Sequence, residues 1–241
     1  MWLWLTCHFT IFLQGDSNML REIDLSEISD GKLYTGNDMV KADCRGCAGC
    51  SSCCQGMGSS IILDPLDIFR LTGHLSKSFE QLLEEALELN VVDGIILPNL
   101  KMTGKDERCI FLSPDGRCTI HKARPGFCRL FPLGRYYENH SFRYFLQIHE
   151  CPKPDKSKIK IKKWLDIENF RQYEKFTADW HYYLKERQEI AMHSEGREGA
   201  NLVKKLSMDI LRQFFVRPYD RETDFYSQVY ARMEKAGEGT L

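Results

Sequence analysis

The chain has 241 residues, 43% of them hydrophobic, enough to bury a core without covalent staples. A formal charge of −1 gives no overall electrostatic case for nucleic acid or for a membrane surface as partner. Ten cysteines are too sparse and too clustered for a secreted disulfide scaffold, so a reducing, cytoplasmic setting is expected.

Residues 1–13, MWLWLTCHFTIFL, are apolar but too short for a membrane span. They lack the basic start and the small-residue cleavage site of a signal peptide. Met19 opens sequence of ordinary globular character, so residues 1–18 are expected to be a non-native upstream extension, with Cys7 outside any site. Residues 20–43 read as a lead-in, with Gly31 and Gly36 as turn signals. The cysteine-rich loop runs from 44 to about 58. Ile61, Ile62 and Leu63 suggest a short buried strand. Asp64-Pro65 is a helix start, with Asp as N-cap and Pro at the first helical position, and Gly73 is the expected end. Ser78 opens a second helix carrying Leu82, Leu83, Ala86 and Leu87. Residues 91–102 are more strand-like than helical.

Cys109-Ile-Phe-Leu-Ser-Pro-Asp-Gly-Arg-Cys118 predicts a hairpin turning at 113–116, which brings Cys109 near Cys118. A second, aromatic-rich hairpin is expected over 130–149, turning near Glu138-Asn139-His140. Residues 153–163, with six lysines, read as a solvated basic linker. From Trp164 onward, Trp164, Ile167, Phe170, Tyr173, Phe176, Trp180 and Tyr183 recur every three or four residues, the stripe of a core-facing helix. A loop over 193–199 and helices near 200–215 and 220–236 complete the chain.

The chemistry is concentrated in C-R-G-C-A-G-C-S-S-C-C, which holds Cys44, Cys47, Cys50, Cys53 and Cys54 within eleven residues. Two-residue spacings let successive thiolates turn inward on one ion or cluster, and Gly46 and Gly49 leave the backbone free to fold around it. Eight cysteines form the expected metal-ligand set: Cys47, Cys50, Cys53, Cys54, Cys109, Cys118, Cys128 and Cys151. Cys44 is a spare. Side chains of adjacent residues diverge in most backbone conformations, so Cys53 and Cys54 on one mononuclear ion is disfavoured. Two sites, an outer-shell role for one of them, or a polynuclear cluster would each accommodate the pair. Zinc and iron–sulfur centres both accept four thiolates. The spacing of residues 47–53 resembles a ferredoxin cluster loop more than the separated pairs of a zinc finger, and Cys151-Pro152 echoes the last ligand of such loops. His121, His140 and His149 are read as ordinary packed or exposed residues. Arg124 and Arg129 flank Cys128 and are candidates to compensate an anionic cluster or to bind a carboxylate or phosphate; structural ion pairs are the other reading. No phosphate-cradling glycine loop and no G-x-S-x-G elbow is present.

These motifs resemble the cysteine-cluster proteins called the YkgJ family, described as zinc- or iron-chelating. The resemblance begins at Cys47-Ala-Gly-Cys50-Ser-Ser-Cys53-Cys54. It continues through Cys109-Ile-Phe-Leu and Gly116-Arg-Cys118-Thr-Ile-His121, and through Arg124-Pro-Gly-Phe-Cys128-Arg-Leu-Phe-Pro132 to Cys151. It covers residues 44–152 and implies metal binding. A similar cysteine pattern occurs in flagellin lysine-N-methylase. That analogy implies a 4Fe-4S cluster with an open position for S-adenosylmethionine, with Arg124 or Arg129 near the cofactor's carboxylate and the 130–149 hairpin receiving a protein lysine.

The expected class is α+β: an irregular cysteine-rich metal-binding core with short β-hairpins, plus a helical C-terminal half. The expected organisation is an extension at 1–18, a metal-binding domain at 19–152, a linker at 153–163 and a helical part at 164–241 packed on the core. The leading functional expectation is an iron–sulfur (or zinc) binding protein. The alternatives are an S-adenosylmethionine-dependent protein lysine methyltransferase and a zinc-stabilised interaction module. Partners are expected to be protein, with no nucleic acid or membrane.

Overall fold

The computed structural model describes residues 25–44 and 50–238. The expected extension at 1–18 and the ligand Cys47 lie outside the described residues. In chain order the elements begin α1 (Leu25–Ile28), β1 (Met39–Asp43), α2 (Pro65–Leu75), α3 (Phe79–Glu85), β2 (Leu87–Val92), β3 (Ile95–Leu100), β4 (Met102–Thr103) and β5 (Arg108–Cys109). There follow α4 (Gly126–Leu130), β6 (Leu133–Glu138), β7 (Ser141–Leu146), β8 (Ser157–Lys160), α5 (Ile161–Leu165), α6 (Phe170–Met192), α7 (Gly196–Ile210) and α8 (Phe225–Glu238). The architecture is α+β. Among the described residues the strands form four two-stranded antiparallel pairs: β1 with β8, β2 with β3, β4 with β5 and β6 with β7.

The chain divides into two compact units. One comprises residues up to Ser60, Met102–Thr119 and Gly126–Asp179; the other comprises Ile61–Lys101, Ile120–Pro125 and Trp180 onward.

In the first unit the β6–β7 hairpin turns on Asn139 and His140, both left-handed at φ 49° and 54°. Two such residues make the turn whose twist matches that of paired strands. Tyr34 and Tyr144 exchange backbone hydrogen bonds of 2.7 and 2.8 Å, which ties the lead-in to β7. The basic stretch 153–163 is more than a linker: Ser157–Lys160 pairs with β1, Ile159 opposite Val40, and Ile161 then opens α5. Its lysines alternate with the apolar Ile159 and Ile161, and Ile161 is fully buried while its lysine neighbours face solvent. The core of this unit contains Val40, Ala42, Tyr144, Phe145, Ile161, Leu165, Tyr173 and Phe176. The aromatic stripe does become helix, but α6 begins at Phe170, after Asp166 and Asn169 turn the chain with φ of 52° and 50°.

In the second unit Asp64 and Ser78 each form a capping box, with Asp67 and Gln81 as reciprocal partners. Gly73 does not end α2, which runs on to Leu75 and closes with Ser76 in the left-handed region. Its glycine serves packing instead: a Cβ there would lie 2.2 Å from the Arg221 guanidinium, which reaches past it to bond Thr72 Oγ1 at 2.6 Å. The second helix stops at Glu85, because Leu87–Val92 pairs with β3 through an Asp93-Gly94 turn, φ 46° and 84°. Ile61 and Leu63 are buried beside β3, where Leu63 donates to Pro98 O and Leu100 donates to Ile61 O. Trp180, Tyr183, Phe214 and Phe215 pack as an aromatic cluster. Gly196 already belongs to α7, so the expected loop at 193–199 is shorter than its composition suggested. Among the described residues no helix is long and apolar enough to cross a membrane.

Candidate metal centre

A tight 3-10 turn over Ser52–Cys54 sets the second half of the cysteine loop. Cys54 N–H donates to Ser51 O at 2.8 Å, and Gln55 Nε2 donates to Ser51 Oγ at 2.9 Å. Gly56, at φ 68°, then donates its N–H to Glu107 O, and Gln55 bridges Arg108. The loop is thereby laid along the strand that carries Cys109.

The segment from Cys109 to Cys118 folds more tightly than a simple hairpin. Cys109 pairs with Met102 in β4, Leu112 pairs with Cys118, and Ser113 and Gly116 close the turn, with Gly116 at φ 75°. Cys109 and Cys118 are nonetheless electrostatic neighbours, as expected. Cys128 rides on α4 in the same unit. None of Cys44, Cys50, Cys53, Cys54, Cys109, Cys118, Cys128 and Cys151 forms a disulfide among the described residues.

Their electrostatics separate them. Cys54 is pushed well above the ordinary thiol range, first by its hydrogen bond with Cys53, then by burial, then by the charges of Cys53, Cys128 and Cys109. Cys109 is raised mainly by burial, with Cys118 and Cys53 adding to it. Thus Cys54 and Cys109 link Cys53, Cys118 and Cys128 into one interacting set. Cys50 lies at its edge and behaves oppositely. Its Sγ stands 3.5 Å from Ser52 Oγ, and that hydrogen bond, the Ser52 backbone and then the Lys153 ammonium hold its thiol below the ordinary value. Among the described residues no three His, Cys, Asp or Glu side chains already surround a common point as metal ligands would. The donor set nonetheless fits a soft metal: thiols gathered without carboxylates, on a loop that tight turns hold against its neighbours.

The two candidate arginines lie in different units. Arg129 is buried, 6% exposed, and its Nη1 donates to Leu165 O at 3.2 Å and Asp166 O at 2.8 Å. It anchors the end of α5. Arg124 belongs to the second unit, at the end of the His121–Ala123 turn. Lys153 acts on the Cys50 thiol, and the neighbouring Lys156 Nζ donates to Cys151 O at 2.9 Å. Sequence reading passed over both lysines as linker, although their position two and five residues after Cys151 was a signal.

Residues 44–152 match the family model "CxxCxxCC: Putative zinc- or iron-chelating domain". Over that segment the chain is similar to this cysteine-cluster family. The match spans every cysteine of the interacting set and stops at Pro152, before α5 to α8. Comparison with curated proteins and with solved structures gives no match.

The electrostatic ordering within this CxxCxxCC domain has a chemical consequence. In metal-free protein, Cys50 should react with iodoacetamide at neutral pH before Cys54 and Cys109, because its lowered pKa gives it a larger thiolate fraction than theirs. Cys54 and Cys109 should lag it by about tenfold or more. Peptide mass spectrometry over a time course reads this directly; equal labelling of the three would contradict the ordering.

Proposed function

We propose that the CxxCxxCC domain holds an iron–sulfur cluster through thiols drawn from Cys53, Cys54, Cys109, Cys118 and Cys128, with Cys47, Cys50 and Cys151 as further ligands. The observation that supports this over a single zinc ion is the number and adjacency of the interacting thiols. Five are linked through Cys54 and Cys109, and two of them, Cys53 and Cys54, are neighbours in the chain. A tetrahedral ion takes four ligands, and adjacent side chains reach one ion poorly. A polynuclear centre offers separate metal atoms to separate thiolates.

A bound cluster would supply one-electron chemistry. The chain's own part is to deliver thiolates and to keep water from them. Ser52 and Lys153 hold the Cys50 thiol below its ordinary value and so ease its deprotonation, whereas Cys54 and Cys109 are held above it and metal binding must expel their protons. Of the two arginines expected at a methyl donor's carboxylate, Arg124 and Arg129, the second is bound to backbone carbonyls.

The test is protein purified without oxygen and assayed together for visible absorption, iron, zinc and acid-labile sulfide. Brown protein with iron and sulfide in matched amounts is the expected result. Colourless protein with tightly held zinc and no sulfide would replace the cluster by a structural zinc site.

A further inference from the structure

The first unit contains a cleft of about 640 Å³ that includes none of the cysteines. It lies between the β6–β7 hairpin, the lead-in near Gly36 and the first turns of α6. Helical spacing puts Phe170, Arg171, Glu174 and Ala178 on one face of α6, and all four line the cleft. From the hairpin come Phe142 and Tyr144, alternate residues that share one face of β7.

Two polar groups meet in this cleft. Tyr144 is 1% exposed, and its Oη interacts with the Glu174 carboxyl without closing a hydrogen bond of ordinary geometry. The nearby Glu174 carboxyl is half-buried and makes no ion pair among the described residues. Burial pushes its pKa up by more than the Tyr144 hydroxyl and the Arg135 charge together lower it. Arg135 itself is engaged elsewhere, donating to Tyr173 Oη at 2.6 Å and lying over the Phe142 ring. Gly36 closes against this floor, where a Cβ would stand 2.3 Å from the Phe170 ring and 3.0 Å from Glu174 Oε1. At the rim, Lys175 is paired with Asp179 at 2.5 Å. Lys162 and Arg171 are exposed, and among the described residues neither side chain has a hydrogen-bond or ion-pair partner. The cleft therefore offers an acceptor end within and a cationic end at its mouth, with two aromatic rings beside them.

We propose that this cleft binds a free α-amino acid with an apolar side chain: Glu174 and Tyr144 receive its ammonium group, Arg171 and Lys162 its carboxylate, and Phe142 and Phe170 flank its side chain. Residues three apart on a helix stand about 5–6 Å apart at Cβ. Arg171 and Glu174 can therefore grip the adjoining carboxylate and ammonium of one such ligand. An ammonium against aromatic faces and a desolvated carboxylate is favoured on both counts. The site stands independently of whether the thiols hold iron or zinc.

Calorimetric titration of the full chain with L-phenylalanine tests this, with an expected Kd of about 0.1–1 mM for a ligand of this size. 3-Phenylpropanoate, which lacks the ammonium, and phenethylamine, which lacks the carboxylate, should each bind about tenfold more weakly or worse. Glu174→Gln should weaken L-phenylalanine by about tenfold while leaving 3-phenylpropanoate unchanged. Arg171→Ala, at an exposed position, should weaken L-phenylalanine and leave phenethylamine unchanged. Absence of saturable binding of both L-phenylalanine and L-leucine at about ten times that Kd would overturn the proposal. So would phenethylamine binding as tightly as the amino acid, or an unaltered affinity in Glu174→Gln.

Discussion

Changing Cys54 to serine should strip most of the bound metal from the protein, whereas the same change at Cys44 should leave the metal content intact. Cys54 interacts with Cys53, Cys109 and Cys128, so it sits where the thiols converge. A serine hydroxyl there is a poor ligand for a soft metal. Cys109→Ser should behave like Cys54→Ser, since Cys109 is the other thiol whose burial and neighbours make it costly to leave as an uncompensated anion. The loss should also depend on pH in a definite direction. Both thiols have pKa values raised in the fold, so metal-free protein keeps them protonated at neutral pH, and metal uptake must expel those protons. Acidification therefore releases the metal. Without metal, stability contributed by the buried neutral thiols is present below the ordinary thiol value of 9.0 and falls as the pH rises above it. Metal content per folded protein, with circular dichroism as the check on folding, reads the comparison. Full metal retention in Cys54→Ser would place the centre elsewhere.

What the sequence made legible was local. The helix starts at Asp64 and Ser78 follow from side chains that cap their own backbone, and both caps formed as expected. The Asn139-His140 turn and the two-residue cysteine spacings are equally local. The readings that shifted depended on partners far along the chain. Ser157–Lys160 becomes a strand only because Met39–Asp43 lies beside it. Gly73 continues a helix because Arg221, almost 150 positions later, needs the space that a Cβ would fill. Leu87 leaves the helical pattern because β3 claims its backbone. For the thiols, the family pattern named the cysteines, but their opposite tuning rests on Ser52, Lys153 and burial. Those are properties of packing that spacing does not encode. The amino-acid cleft had only a partial trace in the sequence, the aromatic alternation over 142–144, because its other half comes from α6.

Replacing Arg129 with methionine should cost roughly 2–4 kcal/mol of stability, since a buried charged donor leaves two carbonyls without it. Leu165 is fully buried, and Asp166 holds the left-handed turn that ends α5, so both acceptors lie at a point where the chain changes direction. The 4.0 Å approach of Nη1 to the exposed Asp166 carboxylate adds little to this. Arg129→Lys should recover only part of the loss, because a single ammonium on a flexible stem does not reproduce the fixed fork of a guanidinium. Arg129 immediately follows Cys128, and this adjacency makes the measurement informative. A residue that compensates cluster charge would, on removal, lower metal content or shift the reduction potential while the melting temperature of metal-free protein stayed put. A residue that locks α5 against α4 would lower the melting temperature of metal-free and metal-loaded protein alike. The hydrogen bonds to Leu165 and Asp166 predict the second pattern. An unchanged melting temperature together with lost metal would return Arg129 to the role its place in the sequence suggested.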